Sequence, residues 1–217
     1  MADIFREVDE ELSRDRLIAA WRRHGKYVIA FAIAAVLGVA AFSGWQDYSE
    51  RQRLAAGRAY AQAIDLVVKQ DLGAATAAMA DIAAKGGSYH LLALLEEASL
   101  KQTAGDKAGA VKIYDDLAAD SSAGRPFQDL AKVLSVTASL DTGDPAALRQ
   151  KLQPLLAEDQ PFRPSALELQ GLLALRQGDF KGARQSFRSL SDDATAPPGM
   201  RQRATQILAW IGERGGA

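Results

Sequence analysis

The chain lacks cysteine, so neither a disulfide nor a thiolate can contribute to its stability or chemistry. It has two histidines, His24 and His90, which lie far apart in sequence and have no further zinc-type ligand nearby. The formal net charge is −1 and no basic stripe runs through the sequence, which argues against a nucleic acid as partner. Strand signals are absent as well. We therefore predict a helical protein with no metal and no cofactor.

The acidic pairs and the glycine pair do not form recognisable catalytic or phosphate-binding motifs. Glu96-Glu97 and Asp115-Asp116 are adjacent in sequence, so their side chains point apart on a helix and cannot act together as acid and base. We interpret Asp192-Asp193 as a solvated loop. Gly86-Gly87 lacks the preceding strand and the following Lys-Ser or Lys-Thr of a phosphate-binding loop. The sequence thus nominates no catalytic residue, and we predict that the protein is not an enzyme.

The longest stretch without a charged residue includes Tyr27 to Trp45. As a helix it would extend roughly 28 Å, close to the hydrocarbon thickness of a bilayer of about 30 Å. Tyr27 and Trp45 stand where aromatic rings prefer the membrane interface. A cleavable signal peptide is the alternative, because Val39-Ala40-Ala41 could serve as a cleavage site. The long, helically patterned leader favours an uncleaved transmembrane helix over 27–45.

Basic residues near the predicted span set its orientation. Cytoplasmic flanks carry an excess of Lys and Arg, and five such residues lie shortly before the span: Arg14, Arg16, Arg22, Arg23 and Lys26. We expect a cytoplasmic segment over 1–26, a single span over 27–45, and a domain outside the cytoplasm over 46–217. The segment 1–26 reads as an amphipathic helix, which either docks on a membrane or partner or is a solvated terminus.

Four stretches beyond the span share one pattern, and they begin at Gln70, Ala104, Thr142 and Gln177. Each has a turn containing Asp, then a small or apolar residue, a large apolar residue four positions on, and another three further on. The first positions are Ala75, Ala110, Leu148 and Ala183; the second are Met79, Tyr114, Leu152 and Phe187; the third are Ile82, Leu117, Leu155 and Leu190. This spacing puts the three residues of each set on one helix face.

The turns predict where the helices of each repeat end and begin. Gly105, Gly143 and Gly178 are expected to end first helices in left-handed conformations, and Asp106, Asp144 and Asp179 to cap the second helices. The first helices are predicted at about 56–69, 88–104, 127–141 and 165–177, with a capping helix over 200–213. A period near 34 residues is typical of tetratricopeptide repeats, and Gly171 stands where two helices must approach closely. The alternative is an undifferentiated helical bundle. The fold class is all-α in either case.

A stack of such repeats offers the first helices as a binding groove. The residues that map to this groove are Tyr60, Ile64, Leu95, Ser99, Val133, Thr137, Leu172 and Arg176. An apolar groove with few charges suits a helix or an extended segment of another protein. The alternative is that several of these side chains belong to the core between repeats.

The order of segments resembles a known family. A charged N-terminal helix, then "WRRHGKYVIAFAIAAVLGVAAFSGWQDY", then "AAGRAYAQAI" leading into degenerate repeats, is similar to the ancillary SecYEG translocon subunits. The resemblance implies a single-span bacterial inner-membrane protein with a periplasmic tetratricopeptide-like domain. It also implies partners, namely SecYEG subunits and a membrane-anchored periplasmic chaperone of the prolyl-isomerase type. Because the repeat domain is shared with cell-division coordinator proteins, an organiser of envelope growth or division is the alternative. The oligomeric state is left open.

Overall fold

The computed structural model describes the backbone of residues 2–214 and the side chains of residues 21, 26, 27, 31, 33 and 36–212. Within these residues all regular structure is helical. The helices are α1 (Ala2–Val68), α2 (Leu72–Lys85), α3 (His90–Thr103), α4 (Lys107–Ala119), α5 (Arg125–Ala138), α6 (Pro145–Leu152), α7 (Arg163–Arg176), α8 (Phe180–Asp192) and α9 (Pro198–Arg214). Short 3₁₀ turns follow α4 at Ser121–Ala123 and α6 at Gln153–Leu155. The predicted all-α fold class is confirmed.

The chain divides into two compact units, and the boundary falls between Ala55 and Ala56, inside α1. Among the described residues, none of the helices has the length and hydropathy of a membrane span. The side chains of most leader residues, and those of residues 28–30, 32, 34 and 35 of the predicted span, are outside the described part of the structure. The domain limits at 26 and 45 remain predictions from the sequence.

From Ala56 onward the helices form four consecutive pairs. The first helices are 56–68 of α1, α3, α5 and α7, and the second helices are α2, α4, α6 and α8. These limits agree with the predicted first helices to within about three residues. All twelve residues of the predicted packing pattern are buried, with exposures of 5% or less. The repeat register is therefore confirmed.

Three of the four turns inside the pairs share one hydrogen-bond pattern. The turn residue donates its backbone N–H to the carbonyl three positions back, and the next residue donates to the carbonyl five positions back, as in a Schellman motif. The turn residues are Gln70, Gly105 and Gly178, with φ of 61°, 90° and 72°. Glycine adopts this left-handed conformation without strain, whereas Gln70 does so at a cost on the order of 1 kcal/mol.

The third turn differs, and the expected left-handed conformation of Gly143 is wrong. Gly143 is absent from the positive-φ glycines of the described chain, and its N–H bonds to the carbonyl of Ser139 at 2.8 Å. A Cβ at this position would lie 3.0 Å from that carbonyl oxygen and 3.1 Å from Leu148. Glycine is thus required here by close approach rather than by its dihedral angle. The larger Leu148, in place of the alanine found in the other repeats, fills that space.

An aspartate caps the second helix of every repeat. The carboxylates of Asp106, Asp144 and Asp179 accept the backbone N–H three residues on at 2.8–3.0 Å, as predicted, and Asp71 does the same at 3.1 Å. Each bond satisfies one of the free N–H groups of the first helical turn and places a negative charge at the positive end of the helix dipole. One residue therefore ends each turn and starts the next helix.

Inside each repeat, a small residue of the first helix faces a large residue sixteen positions later in the second helix. Both members of each pair are buried in the same core cluster or in direct contact. The pairs are Ala63 with Met79, Ala98 with Tyr114, Val136 with Leu152, and Gly171 with Phe187. The small member lets the two helices of a pair approach closely, and the large member fills the remaining space between them.

The close approach predicted at Gly171 is confirmed. A Cβ on Gly171 would lie 2.7 Å from two carbon atoms of the Phe187 ring, well inside van der Waals contact. The ring of Phe187 is fully buried. It cannot move aside without displacing its other neighbours, so the glycine determines how closely α7 and α8 pack.

Polar side chains attach the short helix α6 to its neighbours. The Lys151 ammonium lies 2.6 and 2.8 Å from the two carboxylate oxygens of Asp115 on α4, and it donates to Ser135 Oγ on α5 at 3.1 Å. Ser135 Oγ donates to Asp115 at 2.5 Å and is completely buried. The adjacent Asp116 instead forms an ion pair with Lys112. This agrees with the prediction that neighbouring carboxylates on a helix point apart. Three helices are therefore linked by charge-assisted hydrogen bonds.

The interpretation of Asp193 as a solvated residue is wrong. Its side chain is only 6% exposed and forms an ion pair with Arg163 at the start of α7. It also accepts the Thr195 hydroxyl at 2.6 Å and the Thr195 N–H at 2.9 Å. The Thr195 hydrogen bonds, together with the charge of Arg163, hold the pKa of Asp193 below its ordinary value although burial opposes them. This carboxylate connects the start of the fourth repeat to its end.

Helix α9 covers the last repeat, as predicted for the capping helix. Ala204 and Ile211 are buried in one cluster with Phe187 and Leu190 of α8. The other side of α9 carries exposed Gln202 and Thr205 among its polar residues. A polar outer face on the final helix suits the end of a repeat stack.

We predict that Gly171→Ala lowers the free energy of unfolding by roughly 1–3 kcal/mol, because the added Cβ overpacks against Phe187. Phe187→Leu should relieve the clash, so the double variant should be more stable than the sum of the single effects predicts. Urea unfolding followed by circular dichroism measures all three. Gly212→Ala is the matched control: its Cβ would meet open space, and the better helix former should stabilise α9. Additive effects of Gly171→Ala and Phe187→Leu on the free energy of unfolding would contradict a direct clash between the new Cβ and the Phe187 ring.

Candidate protein-binding groove

The structure places the eight predicted groove residues two to a repeat, on the four first helices. They are Tyr60 and Ile64 on α1, Leu95 and Ser99 on α3, Val133 and Thr137 on α5, and Leu172 and Arg176 on α7. Members of each pair are four residues apart and therefore share one helix face.

Four of these residues are apolar and only partly buried: Tyr60, Ile64, Leu95 and Leu172. Each packs on the edge of a core cluster while keeping part of its surface in water. Ser99 and Thr137 are exposed on α3 and α5. Partly buried apolar side chains fixed by the core, with small hydroxyl groups beside them, can bind a partner with little loss of side-chain entropy.

Two of the predicted residues are held in the fold itself. Val133 is 9% exposed and belongs to the core between the third and fourth repeats, so little of it is accessible to a partner. The guanidinium of Arg176 donates at 2.8 Å to the carbonyls of Leu140 and Gly143 in the preceding turn. Those bonds satisfy carbonyls of the turn between α5 and α6 and link the fourth repeat to the third. The alternative, that several groove residues are core, holds for Val133, whereas Arg176 is exposed and bonded within the fold.

The contact between Tyr60 and a second tyrosine, Tyr89, was not predicted from the sequence. Tyr60 stacks on Tyr89 with ring centroids 5.2 Å apart and an interplanar angle of 30°. A Cβ on Gly57 would lie 3.2 Å from the Tyr89 hydroxyl oxygen, so glycine makes room for that hydroxyl. Tyr89 immediately precedes α3 and lies outside the repeat pattern, so its sequence position gave no signal. Stacked tyrosines present a rigid amphipathic surface of the kind that protein partners use.

A carboxylate lies near this aromatic pair. Burial raises the pKa of Tyr60, and the negative charge of Glu96 raises it further because phenolate would be repelled. The pKa of Tyr114 is raised by the same two causes in the same order. Glu96 is partly buried and has no ion-pair partner among the described residues. The first two repeats therefore combine aromatic, aliphatic and acidic groups.

Ser135 and His90, two side chains of types common in active sites, both have structural explanations. Ser135, although 3.1 Å from Lys151, is fully buried and cannot reach a substrate. His90 lies at the start of α3, with Nδ1 2.5 Å from the carbonyl oxygen of Ala83. No set of three or more His, Cys, Asp or Glu side chains in the described part of the chain could hold a metal ion.

A family model described as a tetratricopeptide repeat-like domain matches residues 19–207. The chain belongs to the tetratricopeptide repeat-like domain family. The matched range contains all four helix pairs and most of the capping helix α9. No curated protein and no solved structure matches the chain. Tetratricopeptide-like domains generally mediate protein–protein interactions and are typically non-catalytic, which suggests an adaptor role for this tetratricopeptide repeat-like protein.

We predict that Glu96→Gln lowers the pKa of Tyr60, because the variant removes a negative charge that disfavours phenolate. The pH dependence of tyrosinate absorbance measures the effect, and Tyr60→Phe identifies the contribution of this residue. Because the pKa of Tyr60 is raised in the folded state, this residue contributes stability at pH values below its ordinary pKa of 10.0. That contribution is lost as the pH rises above this value.

Glu97→Gln is the control for this titration, because Glu97 is the adjacent carboxylate and is not among the groups that shift Tyr60. The variant should leave the Tyr60 titration unchanged. Equal shifts of the Tyr60 pKa in both variants would show that Tyr60 responds to the net charge of the protein and not to Glu96 in particular.

Proposed function

We propose that the protein is a non-catalytic membrane-anchored adaptor that binds protein partners through the groove of its first helices. The observation that carries this proposal is the set of partly buried apolar side chains on those helices, together with the Tyr60–Tyr89 stack. Such a surface matches the helix-in-groove and extended-segment modes of recognition. Membership of the tetratricopeptide repeat-like domain family supports the same role.

The anchor rests on the sequence between Tyr27 and Trp45, which has no ionisable group. The large apolar side chains described in this stretch, including Phe31 and Val36, are at least 56% exposed. Large apolar surface exposed in this way calls for a nonpolar partner, and the bilayer is one that fits the length of the run. We propose a single pass through the bacterial inner membrane with residues 46–217 in the periplasm.

The specific assembly follows from the family resemblance. We propose that the protein is an accessory subunit of the SecYEG translocon and links it to a membrane-anchored periplasmic chaperone of the prolyl-isomerase type. The resemblance in segment order, together with a groove suited to protein segments, supports this assignment. An organiser of envelope growth or division is the competing assignment, and it would use the same groove for different partners.

The groove is tested by blocking it without disturbing the core. Ser99→Arg and Thr137→Arg put bulky charge on exposed groove positions, and we expect about a tenfold or greater loss of co-purifying partners from mild detergent. Asp116→Arg, on the exposed side of α4, is the matched control and should retain them. Translocon subunits and chaperones among the partners support the export assignment, and cell-wall synthesis proteins support the competing one. Full retention in both groove variants would contradict a binding role for this face.

The orientation is tested by fusions. Reporters joined after Gly73 and after Gly215 should be active outside the cytoplasm and silent inside it, because both sites follow the proposed span. A mature N-terminus near Phe42, found by sequencing the purified protein, would show that the apolar run is removed as a signal peptide.

A further inference from the structure

Helix α8 differs from the other second helices in how its basic side chains are paired. On α2, α4 and α6 a lysine pairs with an aspartate, as in Lys85–Asp81, Lys112–Asp116 and Lys151–Asp115. On α8 the three cations Lys181, Arg184 and Arg188 are all exposed. None of them has an ion pair or a side-chain hydrogen bond among the described residues.

These three cations lie on one face of α8, because they are three and four positions apart. Arg184 and Arg188 are one turn apart, an arrangement of like charges that weakens a helix. The domain as a whole is not basic, since the chain carries a net charge of −1. No ion pair among the described residues neutralises this local concentration of positive charge, although the exposed Asp192 lies one turn beyond Arg188.

A polar cleft of about 220 Å³ borders this stripe. Its walls come from α6, α7 and α8, and hydrogen-bond donors line it, among them Arg149, Gln185, Ser186 and Ser189. Ser186 is 6% exposed at the base of the cleft. Gln185 lines the cleft one turn from Lys181, so the cleft and the stripe form a continuous surface.

The charges in the cleft favour an anion. Arg149 supplies a guanidinium that is exposed and bonded only to the neutral side chain of Gln177. The carboxylate in the lining, Asp179, already accepts the Gly182 N–H at 2.8 Å as the cap of α8. An entering carboxylate would therefore meet the Arg149 guanidinium, which Gln177 does not neutralise, and the donors of Gln185 and Ser189. The Ser186 hydroxyl already donates to the carbonyl of Gly182 at 3.2 Å.

We propose that the cleft and the α8 stripe bind an acidic peptide segment of a partner protein. One Asp or Glu side chain enters the cleft and accepts hydrogen bonds from Arg149 and from the hydroxyl of Ser189. Flanking acidic residues lie along Lys181, Arg184 and Arg188, which extend over roughly 10 Å of helix, or about three residues of an extended peptide.

The shape of the site distinguishes a peptide from a lipid surface. A flat anionic membrane would contact the stripe but could not place a charge at Arg149 within the cleft, whereas a single carboxylate side chain can enter it. The site lies on α6, α7 and α8 and uses none of the eight groove residues. Binding here is therefore independent of the function proposed for the groove.

The test uses the full chain in mild detergent and a fluorescein-labelled oligoglutamate peptide as the probe, read by fluorescence anisotropy. We expect binding that weakens with added salt and is absent for an oligoglutamine peptide of the same length. Arg184→Glu/Arg188→Glu should weaken binding by about tenfold or more, and Arg184→Gln/Arg188→Gln by less. Arg149→Gln, with the stripe intact, should also weaken it severalfold, and Arg149→Lys should restore part of the loss.

Lys107→Glu/Lys112→Glu on α4 makes the same change in net charge and is the matched control. It should leave binding nearly unchanged. Circular dichroism of every variant confirms that the helices are intact. An equal loss in the α4 control would show that only net charge matters and would overturn the proposal. An unchanged affinity in Arg149→Gln, with competition by vesicles of anionic lipid, would assign the stripe to a membrane surface instead.

Discussion

The repeat domain depends on one contact, made four times, between a small residue of a first helix and a large residue sixteen positions later. In the fourth repeat Gly171 faces Phe187 so closely that no Cβ fits between them. In the other repeats alanine or valine faces methionine, tyrosine or leucine. This contact fixes the distance between the helices of a pair. The positions of the turns, the next repeat and the exposed face of each first helix follow from it.

The turns between paired helices also help to define the geometry of each repeat. A Schellman motif and an aspartate cap occupy consecutive residues, so the chain satisfies the carbonyls of one helix and the N–H groups of the next within a very short segment. The third repeat lacks that motif and has a short second helix. There Lys151, Asp115 and Ser135, with Arg176 bonded to carbonyls of the turn, provide the links between repeats. Where regular turn geometry is missing, side-chain hydrogen bonds hold neighbouring helices instead.

The two faces of the fourth repeat illustrate how one fold separates two kinds of surface. The first-helix face presents the partly buried, apolar Leu172, which suits hydrophobic contact, one turn from Arg176, whose guanidinium is bonded to the preceding turn. The second-helix face has a stripe of cations beside a cleft of donors, which suits recognition of charge. Both surfaces are possible because the core requires particular residues only at the buried positions of α7 and α8. The exposed positions of these helices can therefore carry different side chains.

The sequence by itself determined the all-α class, the four repeats, the twelve buried positions and the capping helix, because helical periodicity and turn residues are local signals. It also located Gly171 and three of the four aspartate caps. Only the tertiary structure decided which groove positions are accessible: Val133 is core and Arg176 is bonded to the preceding turn. The same holds for Tyr89 and Asp193, which lie outside the repeat pattern, and for Gly143, whose space is limited by the Ser139 carbonyl and the Leu148 side chain. Periodicity shows which side of a helix faces inward, but the neighbour that a side chain meets depends on how separate helices pack.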